Sequence, residues 1–216
     1  MNASMPQRRE RLESILRLAP VIAVVTIDDA KAAVPLARAL REGGIHAIEI
    51  TLRTPAALDA IRAIADAIPQ AAVGAGTVLS ADDLAAAAAT GAKFAVSPGA
   101  SPALFDAAVN SSLPWLPGAA SASEAMALAE RGYDLQKFFP AQAAGGVEFL
   151  RSLAGPLPQI RFCPTGGIGV HNAPDYLRLP NVACVGGSWL TPATLVRSGD
   201  WSAIAALARA AAALRD

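Results

Sequence analysis

Charge and cysteine are both scarce in this sequence. Charged residues make up 17% of its 216 residues, and 18 lysines and arginines balance 18 aspartates and glutamates. A chain with no net charge lacks the basic field that gathers nucleic acid or an anionic membrane surface. We therefore expect no nucleic-acid partner and no membrane partner, and any bound anion must be held by local groups.

The cysteines and the hydrophobic runs exclude further classes. Cys163 and Cys184 lie in separate apolar runs without a CxxC or Cys/His cluster, so we expect two reduced core thiols and no disulfide or metal pair. The segment 1–18 carries several charges and lacks the apolar stretch of a signal peptide. No uncharged apolar window approaches the ~18 residues of a membrane span. These features predict a soluble, cytoplasmic protein.

Short apolar segments rich in β-branched residues alternate with alanine-rich segments of helical spacing. The predicted strands are Val21–Ile27, Ala47–Leu52, Ala72–Val78, Phe94–Pro98, Leu113–Gly118, Leu135–Pro140, Ile160–Thr165 and Val182–Ser188. The predicted helices between them include Ala30–Glu42, Pro55–Ile68, Ala81–Thr90, Ser101–Asn110, Ser123–Arg131 and Gly146–Leu153. Strict β-then-α alternation predicts a parallel sheet with helical crossovers.

The number of units favours a barrel. Eight strand–helix units at about 25 residues each match a compact (β/α)8 (TIM) barrel, with a doubly wound open sheet as the rival. Polar residues and glycines collect at the carboxyl ends of the strands, which a barrel brings to one rim. We predict a single α/β domain over 1–216, with an additional N-terminal helix over Pro6–Leu18 and a closing helix over Trp201–Leu214.

Lys137 is the lysine whose position is hardest to explain structurally. Lys31 and Lys93 stand where a solvated charge costs little, whereas Lys137 lies inside an apolar strand with two phenylalanines following it. One interpretation is that it reaches solvent or pairs with an acid. The other is an amine nucleophile, because burial favours the neutral amine, which can form a Schiff base with a ketone.

The second strand alternates polar and aliphatic residues, so Glu49, Thr51 and Arg53 share one face. Glu49 is a candidate acid/base, and Arg53 offers a planar fork for a carboxylate. The alternative is a structural ion pair between the two, although four residues along a strand separate their backbones by about 13 Å.

Glycines and hydroxyl groups end several other strands. Thr77 follows Gly74-Ala75-Gly76, Thr165 precedes Gly166-Gly167, and Ser188 follows Gly186-Gly187. Paired glycines after the seventh and eighth strands of a barrel commonly form a phosphate site from backbone N–H groups. Tight turns are the alternative. No P-loop, GxGxxG or HExxH sequence is present, which argues against nucleotide and zinc sites.

Six strings occur in order along the chain: Glu49–Thr54, Val73–Val78, Ser97–Gly99, Lys137–Ala141, Arg161–Ile168 and Gly186–Trp189. Together they resemble the family of 2-keto-3-deoxy-6-phosphogluconate (KDPG) and 4-hydroxy-2-oxoglutarate (KHG) aldolases. The resemblance implies a class I lyase on a (β/α)8 barrel, without a metal ion or cofactor. It implies cleavage of 2-dehydro-3-deoxy-6-phosphogluconate, a phosphorylated 2-keto acid, to pyruvate and glyceraldehyde 3-phosphate in the Entner–Doudoroff pathway, by a homotrimer.

The same resemblance implies a role for each site residue. Lys137 would be the Schiff-base lysine and Glu49 the general acid/base. The substrate-binding residues would be Arg53 and Thr77 at the carboxylate, Thr165 beside the imine, and Gly166, Gly167, Gly187 and Ser188 at the phosphate. Gln142 stands where the family often has glutamate, and Ser121 where threonine is commoner. Neither departure touches a catalytic role.

Four alternatives remain open at this point. One is that 4-hydroxy-2-oxoglutarate is cleaved as a second substrate, to pyruvate and glyoxylate. An aldolase for the galactonate epimer at C4 is a second alternative. A barrel phosphosugar isomerase or epimerase is the third, and it would have no use for a buried lysine. The fourth is a non-catalytic module that binds a phosphorylated metabolite, which would keep the glycine turns but would need neither the amine nor the carboxylate.

Overall fold

The computed structural model describes residues 3–215, so the predicted domain limits at 1–2 and 216 lie outside the described residues. The strands are β1 Val21–Val25, β2 Ala47–Thr51, β3 Ala72–Gly76, β4 Ala95–Val96, β5 Trp115–Leu116, β6 Gly118–Ala119, β7 Leu135–Phe138, β8 Arg161–Pro164 and β9 Val185–Gly187. All strand pairs in this part of the chain are parallel. The predicted parallel α/β fold is confirmed.

Helices follow the strands in the expected alternation. They are α1 Met5–Leu16, α2 Ala33–Glu42, α3 Ala57–Ala67, α4 Ala81–Ala89, α5 Pro102–Asn110, α6 Ala122–Glu130, α7 Gly146–Leu153, α8 Ala173–Leu177, α9 Ala193–Ser198 and α10 Trp201–Ala212. Two 3₁₀ turns, Ala30–Ala32 and Ala213–Arg215, flank α2 and α10. Within residues 3–215, no helix combines the length and apolar character that a bilayer crossing requires.

The strands form two parallel sheets. Six strands follow the order β5-β4-β3-β2-β1-β9, and three follow the order β6-β7-β8. Isolated parallel bridges join Phe162 to Val182 and Thr165 to Gly186, so the β8 edge adjoins the β9 edge. At the other side the chain runs directly from β5 through Pro117 into β6.

The prediction of one continuous fifth strand over Leu113–Gly118 is wrong, because Pro117 divides it into β5 and β6. Proline has no N–H and cannot donate to the ladder. Its carbonyl still accepts a 2.8 Å hydrogen bond from the backbone N–H of Lys137, so the neighbouring strand stays aligned across the break.

Polar side chains fix several helix starts. The Ser80 hydroxyl accepts from the N–H of Asp83 at 3.1 Å, while the Asp83 carboxylate accepts from the N–H of Ser80, which forms a reciprocal capping box on α4. Asp200 accepts from the N–H of Ala203 in the same way at α10. These caps satisfy N–H groups that have no partner in the first turn of a helix.

The apolar core lies on both faces of the sheets. On β2, Ile48 and Ile50 pack outward against the helices, whereas Ala47 joins a separate cluster on the opposite face. This inner cluster consists of Leu12, Ile15, Leu16, Ile22, Ala47, Ala72, Phe94, Val96, Leu116, Leu135, Cys163 and Cys184.

Helix α1 supplies the first three members of the inner cluster and packs against the amino-terminal halves of the strands. Burial of each leucine or isoleucine side chain is worth about 1.5–3 kcal/mol. Polar contacts hold the helix there as well: the Arg8 guanidinium donates to the carbonyls of Ala108 and Ser111 at the end of α5, and Arg9 pairs with Asp134 at 2.7 Å.

Candidate active site

Glu49 is held at the centre of β2 by the alternation of that strand. Its neighbours Ile48 and Ile50 are fully buried on the helix side, so the Glu49 side chain points to the opposite face, where it is 3% exposed. Gly74 lies beside Glu49 on the neighbouring strand β3. The strand therefore places a carboxylate in a buried position.

Lys137 is positioned in the same way by β7. Phe138 packs in the outer core, and the amide of Gln136 donates to the carbonyls of Ala125 and Tyr133, so both neighbours of Lys137 face the helices. Lys137 is 5% exposed and lies in register between Gly118 and Cys163. The predicted burial of this lysine is confirmed.

The two side chains meet across the inner face of the sheets. Lys137 Nζ donates to Glu49 Oε1 at 3.3 Å, and the same Nζ lies 5.3 Å from the centre of the Phe139 ring. A buried ion pair of this kind costs desolvation energy and is weak evidence of a stabilising role. One of the two interpretations of the sequence was that Lys137 pairs with an acidic residue, and the contact agrees with it. The partner is Glu49, which was predicted to act as the acid/base.

The absence of a side chain at Gly76 on β3 leaves room for the Glu49 carboxylate. A Cβ atom on Gly76 would lie 2.2 Å from Glu49 Oε1 and 2.5 Å from its Cγ. Glycine at this position is therefore required for the observed position of the carboxylate. The sequence indicated Gly76 only as a place where backbone can approach a ligand, whereas the structure places the Glu49 side chain there.

Arg53 and Thr77 form a second contact beyond the ends of β2 and β3. The Arg53 Nε–H donates to the Thr77 hydroxyl at 3.1 Å, and Arg53 is exposed. The alternative ion pair between Glu49 and Arg53 is not formed among the described residues, since Glu49 instead contacts Lys137. Thr77 has a φ of 58°, a conformation that is strained for a β-branched residue and that concentrates at functional sites.

Thr165 and the two glycine turns lie side by side. Thr165 follows β8, is 7% exposed, and donates its backbone N–H to the carbonyl of Phe138, the residue after Lys137. Gly166 and Gly167 continue with φ of 103° and 73°. Because Thr165 is bridged to Gly186, the β9 end carrying buried Gly187 and exposed Ser188 adjoins this turn.

Three contributors to this region were not singled out as site residues from the sequence. Gln142 and Asn172 form hydrogen bonds to the Gly166–Gly167 turn, and Tyr176 forms one to the Gln142 side chain. Asn172 directly precedes a helix, which is a recognisable signal for a capping residue but gives no indication of its contact with Gly167. Among the described residues, no cluster of three histidine, cysteine or acidic side chains could hold a metal ion.

A parallel α/β fold that holds a buried lysine against a buried glutamate is consistent with an enzyme of the Schiff-base-forming class. Within that class, the family model for KDPG and KHG aldolases matches residues 12–207. The chain belongs to this family, and the resemblance stated from its motifs is confirmed.

Individual relatives agree with the assignment. The chain is 50% identical to the 2-dehydro-3-deoxy-phosphogluconate aldolase of Pseudoalteromonas atlantica, over 93% of this chain and 94% of the relative. It is also 50% identical to the KHG/KDPG aldolase of Escherichia coli K12, over 92% of this chain and 93% of the relative. Among solved structures it is similar to the KDPG aldolase of Legionella pneumophila, in which pyruvate is captured as a covalent carbinolamine intermediate. That match has a TM-score of 0.91 and 45% identity, and it covers 93% of this chain and 98% of the other.

Proposed function

We propose that this protein is a class I aldolase that cleaves 2-dehydro-3-deoxy-6-phosphogluconate to pyruvate and glyceraldehyde 3-phosphate. The observation that carries the proposal is the 3.3 Å contact between Lys137 Nζ and Glu49 Oε1 in a buried position. An amine and a carboxylate so placed can form an imine and move a proton beside it. The names of the relatives specify the substrate.

Lys137 supplies the electron sink. Its neutral amine adds to the C2 carbonyl to give a carbinolamine, and loss of water gives a protonated imine. Removal of the proton from the C4 hydroxyl lets the C3–C4 bond break, so that its electron pair enters the imine as an enamine and the aldehyde leaves. Protonation at C3 and hydrolysis of the imine then release pyruvate and restore the amine.

Glu49 accepts and donates the protons that are transferred in these steps. Its carboxylate takes the C4 hydroxyl proton and returns a proton to C3 of the enamine, so it ends the cycle as it began. Its contact with Lys137 supports this role, because the substrate would be bonded to Lys137 Nζ. Positioning of this kind is the geometric requirement for general acid/base catalysis.

The remaining site residues bind the two charged ends of the substrate. Arg53, oriented by its hydrogen bond to Thr77, would hold the carboxylate with its guanidinium fork. Thr165 would lie beside the imine. The backbone at Gly166, Gly167 and Gly187, together with the Ser188 hydroxyl, would hold the phosphate without a cationic side chain.

We further propose that the two sheets form one complete (β/α)8 barrel, a single domain over 1–216 with α1 as the additional N-terminal helix. In support, the bridge from Thr165 to Gly186 and the chain continuity at Pro117 join the sheets at both edges. Strands β2 and β7 stand opposite each other in such a ring, which accounts for the meeting of Glu49 and Lys137 across its interior.

The assembly and location proposed from the family resemblance are a homotrimer in the cytoplasm. Light scattering on the purified protein during size-exclusion chromatography tests the trimer, since a mass near three times 22.0 kDa is expected. A mass near that of one chain contradicts it.

Among the alternatives, cleavage of 4-hydroxy-2-oxoglutarate as a second substrate is favoured by the double name of the Escherichia coli relative. The galactonate alternative has less support, because the structure named KDPGal is 29% identical, with a TM-score of 0.81. A phosphosugar isomerase would not need a buried lysine for its reaction, so this alternative gives no reason for the burial of Lys137.

The decisive experiment is reductive trapping. Borohydride added together with pyruvate should inactivate the protein and leave a reduced pyruvyl adduct on the peptide that contains Lys137. Lys137→Arg should be neither labelled nor active, while the matched variant Lys93→Arg should behave like the wild type. Labelling of Lys31 or Lys93, or active enzyme after the treatment, would overturn the proposal.

A further inference from the structure

The Gly166–Gly167 turn is held by residues that belong to other parts of the chain. The carbonyl of Gly166 accepts a 3.0 Å hydrogen bond from the backbone N–H of Gln142. The carbonyl of Gly167 accepts a 3.0 Å hydrogen bond from the side-chain amide of Asn172. Both carbonyl groups of the turn therefore accept hydrogen bonds from other parts of the protein.

Both the nitrogen and the oxygen of the Asn172 side-chain amide form hydrogen bonds. While Nδ2 donates to Gly167, Oδ1 accepts from the backbone N–H of Gly169 at 2.8 Å. A single side chain thus spans the turn and the residue two positions beyond it. Only asparagine or glutamine offers a donor and an acceptor together in one amide, and aspartate would lose the donor.

The side chain of Gln142 is fixed as well. The hydroxyl of fully buried Tyr176 donates to Gln142 Oε1 at 3.0 Å, and a Cβ on Gly167 would lie 2.6 Å from Gln142 Cβ. The turn is consequently packed against Gln142 on one side and tied to Asn172 on the other.

These contacts decide where the N–H groups of the turn point. In a trans peptide unit the C=O and N–H bonds point in opposite directions. With the carbonyls of Gly166 and Gly167 turned toward Gln142 and Asn172, the N–H groups of Gly167 and Ile168 turn away from both. Successive N–H groups in such a turn form a concave site for an anion.

We propose that Asn172 is a positioning residue for the phosphate of a phosphorylated 2-keto acid, because its amide holds the Gly166–Gly167 turn with its N–H groups directed at that phosphate. The inference rests on the proposed function and adds a residue that does not itself touch the substrate. Asn172 acts through the Gly167 carbonyl and the Gly169 N–H.

The test compares Asn172→Ala and Asn172→Leu with wild type on a phosphorylated and an unphosphorylated 2-keto acid. For the phosphorylated substrate, KM should rise about five- to twentyfold with kcat within about twofold, as expected for one lost hydrogen bond acting on binding. KM for the unphosphorylated substrate should stay within about twofold of wild type. The inhibition constant of inorganic phosphate should rise in parallel with the first KM.

Asp175→Ala is the matched control. Asp175 lies on the same helix as Tyr176 and forms an exposed pair with Arg178, so its loss perturbs α8 locally without touching the turn. It should keep the wild-type KM for both substrates. If Asn172→Ala does not fold, Asn172→Leu decides, because it keeps the size of the side chain, removes the amide and adds no charge beside the proposed phosphate.

Equal losses on both substrates, or an unchanged inhibition constant for phosphate, would overturn the positioning role. The failure of the proposed function looks different, since wild type itself would then neither cleave the substrate nor be trapped by pyruvate. Phosphate binding measured by calorimetry on wild type and Asn172→Leu tests the turn even in that case, with weaker binding to the variant expected and equal binding contradicting the inference.

Discussion

Lys137 and Glu49 are 88 residues apart in the chain, and their side chains meet at 3.3 Å in the buried interior. Each comes from a strand that belongs to a different sheet. The contact therefore depends on how the two sheets face each other, and any change that moves one sheet relative to the other alters the distance between amine and carboxylate.

Glu49→Gln should separate imine formation from carbon–carbon cleavage. Glutamine keeps the size of the side chain but cannot accept the C4 hydroxyl proton, so kcat should fall by about 10²–10⁴-fold. Trapping of pyruvate on Lys137 by borohydride should persist. Glu148→Gln, which removes an exposed pair with Arg151, is the control and should retain wild-type kinetics. Wild-type turnover in Glu49→Gln would exclude the acid/base role.

Gly76→Ala should damage activity more than stability. The added methyl would lie 2.2 Å from Glu49 Oε1, so the carboxylate must move away from Lys137. Overpacking of this size costs about 1–3 kcal/mol in the free energy of unfolding. We expect kcat to fall more than tenfold, measured beside urea unfolding of the same preparation.

Gly99→Ala is the matched control for that variant, because a Cβ there meets no atom within 4 Å. It should leave both kcat and the unfolding midpoint close to wild type. Full activity in Gly76→Ala would mean that Glu49 can move without consequence and that its observed position is not the working one.

Ser188→Ala and Arg53→Ala should distinguish the two ends of the substrate. Ser188→Ala should reduce kcat/KM for the phosphorylated substrate by about 1–3 kcal/mol and leave a short unphosphorylated 2-keto acid nearly unaffected. Arg53→Ala should reduce both, and by at least as much, because its two donors meet one carboxylate. Equal losses for Ser188→Ala on the two substrates would place Ser188 outside the phosphate site.

The stability of the protein should fall in acid partly through Glu13 on α1. The hydrogen bond from Arg9 lowers the pKa of Glu13 below its ordinary value of 4.5, and that from Arg17 acts in the same direction. The ionised carboxylate therefore stabilises the folded state above pH 4.5, and this contribution is lost as the pH falls through the lowered pKa.

Urea unfolding of Glu13→Gln at pH 7 and pH 3 measures this effect. The variant should be less stable than wild type at pH 7 by up to about 1 kcal/mol, the range for ion pairs near a surface, and the two should converge at pH 3. Glu10→Gln, at an exposed position on the same helix, is the control. A difference between Glu13→Gln and wild type that stays constant across this range would contradict the assignment.

The sequence predicted the parallel α/β alternation well, because β-branched runs and alanine-rich amphipathic segments have different periods. Helix α7 begins and ends where the pattern indicates, and α1 lies within two residues of its prediction at each end. Helices α8 and α9 were not predicted, since five and six residues are too few for a helical period to be read. The predicted helix Ala30–Glu42 begins as a 3₁₀ turn.

The sequence also singled out individual candidate residues, but it did not predict their contacts. A lysine inside an apolar strand and a glutamate in an alternating strand are unusual enough to be recognised locally. Their meeting depends on the relative placement of two sheets, and the φ of Thr77 and the span of Asn172 depend on tertiary packing. The roles of these residues in catalysis and binding stay predictions.

Helix α1 lies against the amino ends of the strands, whereas the proposed chemistry takes place toward their carboxyl ends. The residues that pack α1 are therefore separate from those proposed to bind the substrate. Laboratory evolution toward new carbon–carbon bonds can be directed at the loops after β2, β8 and β9 while the buried packing of Leu12 and Leu16 is kept unchanged.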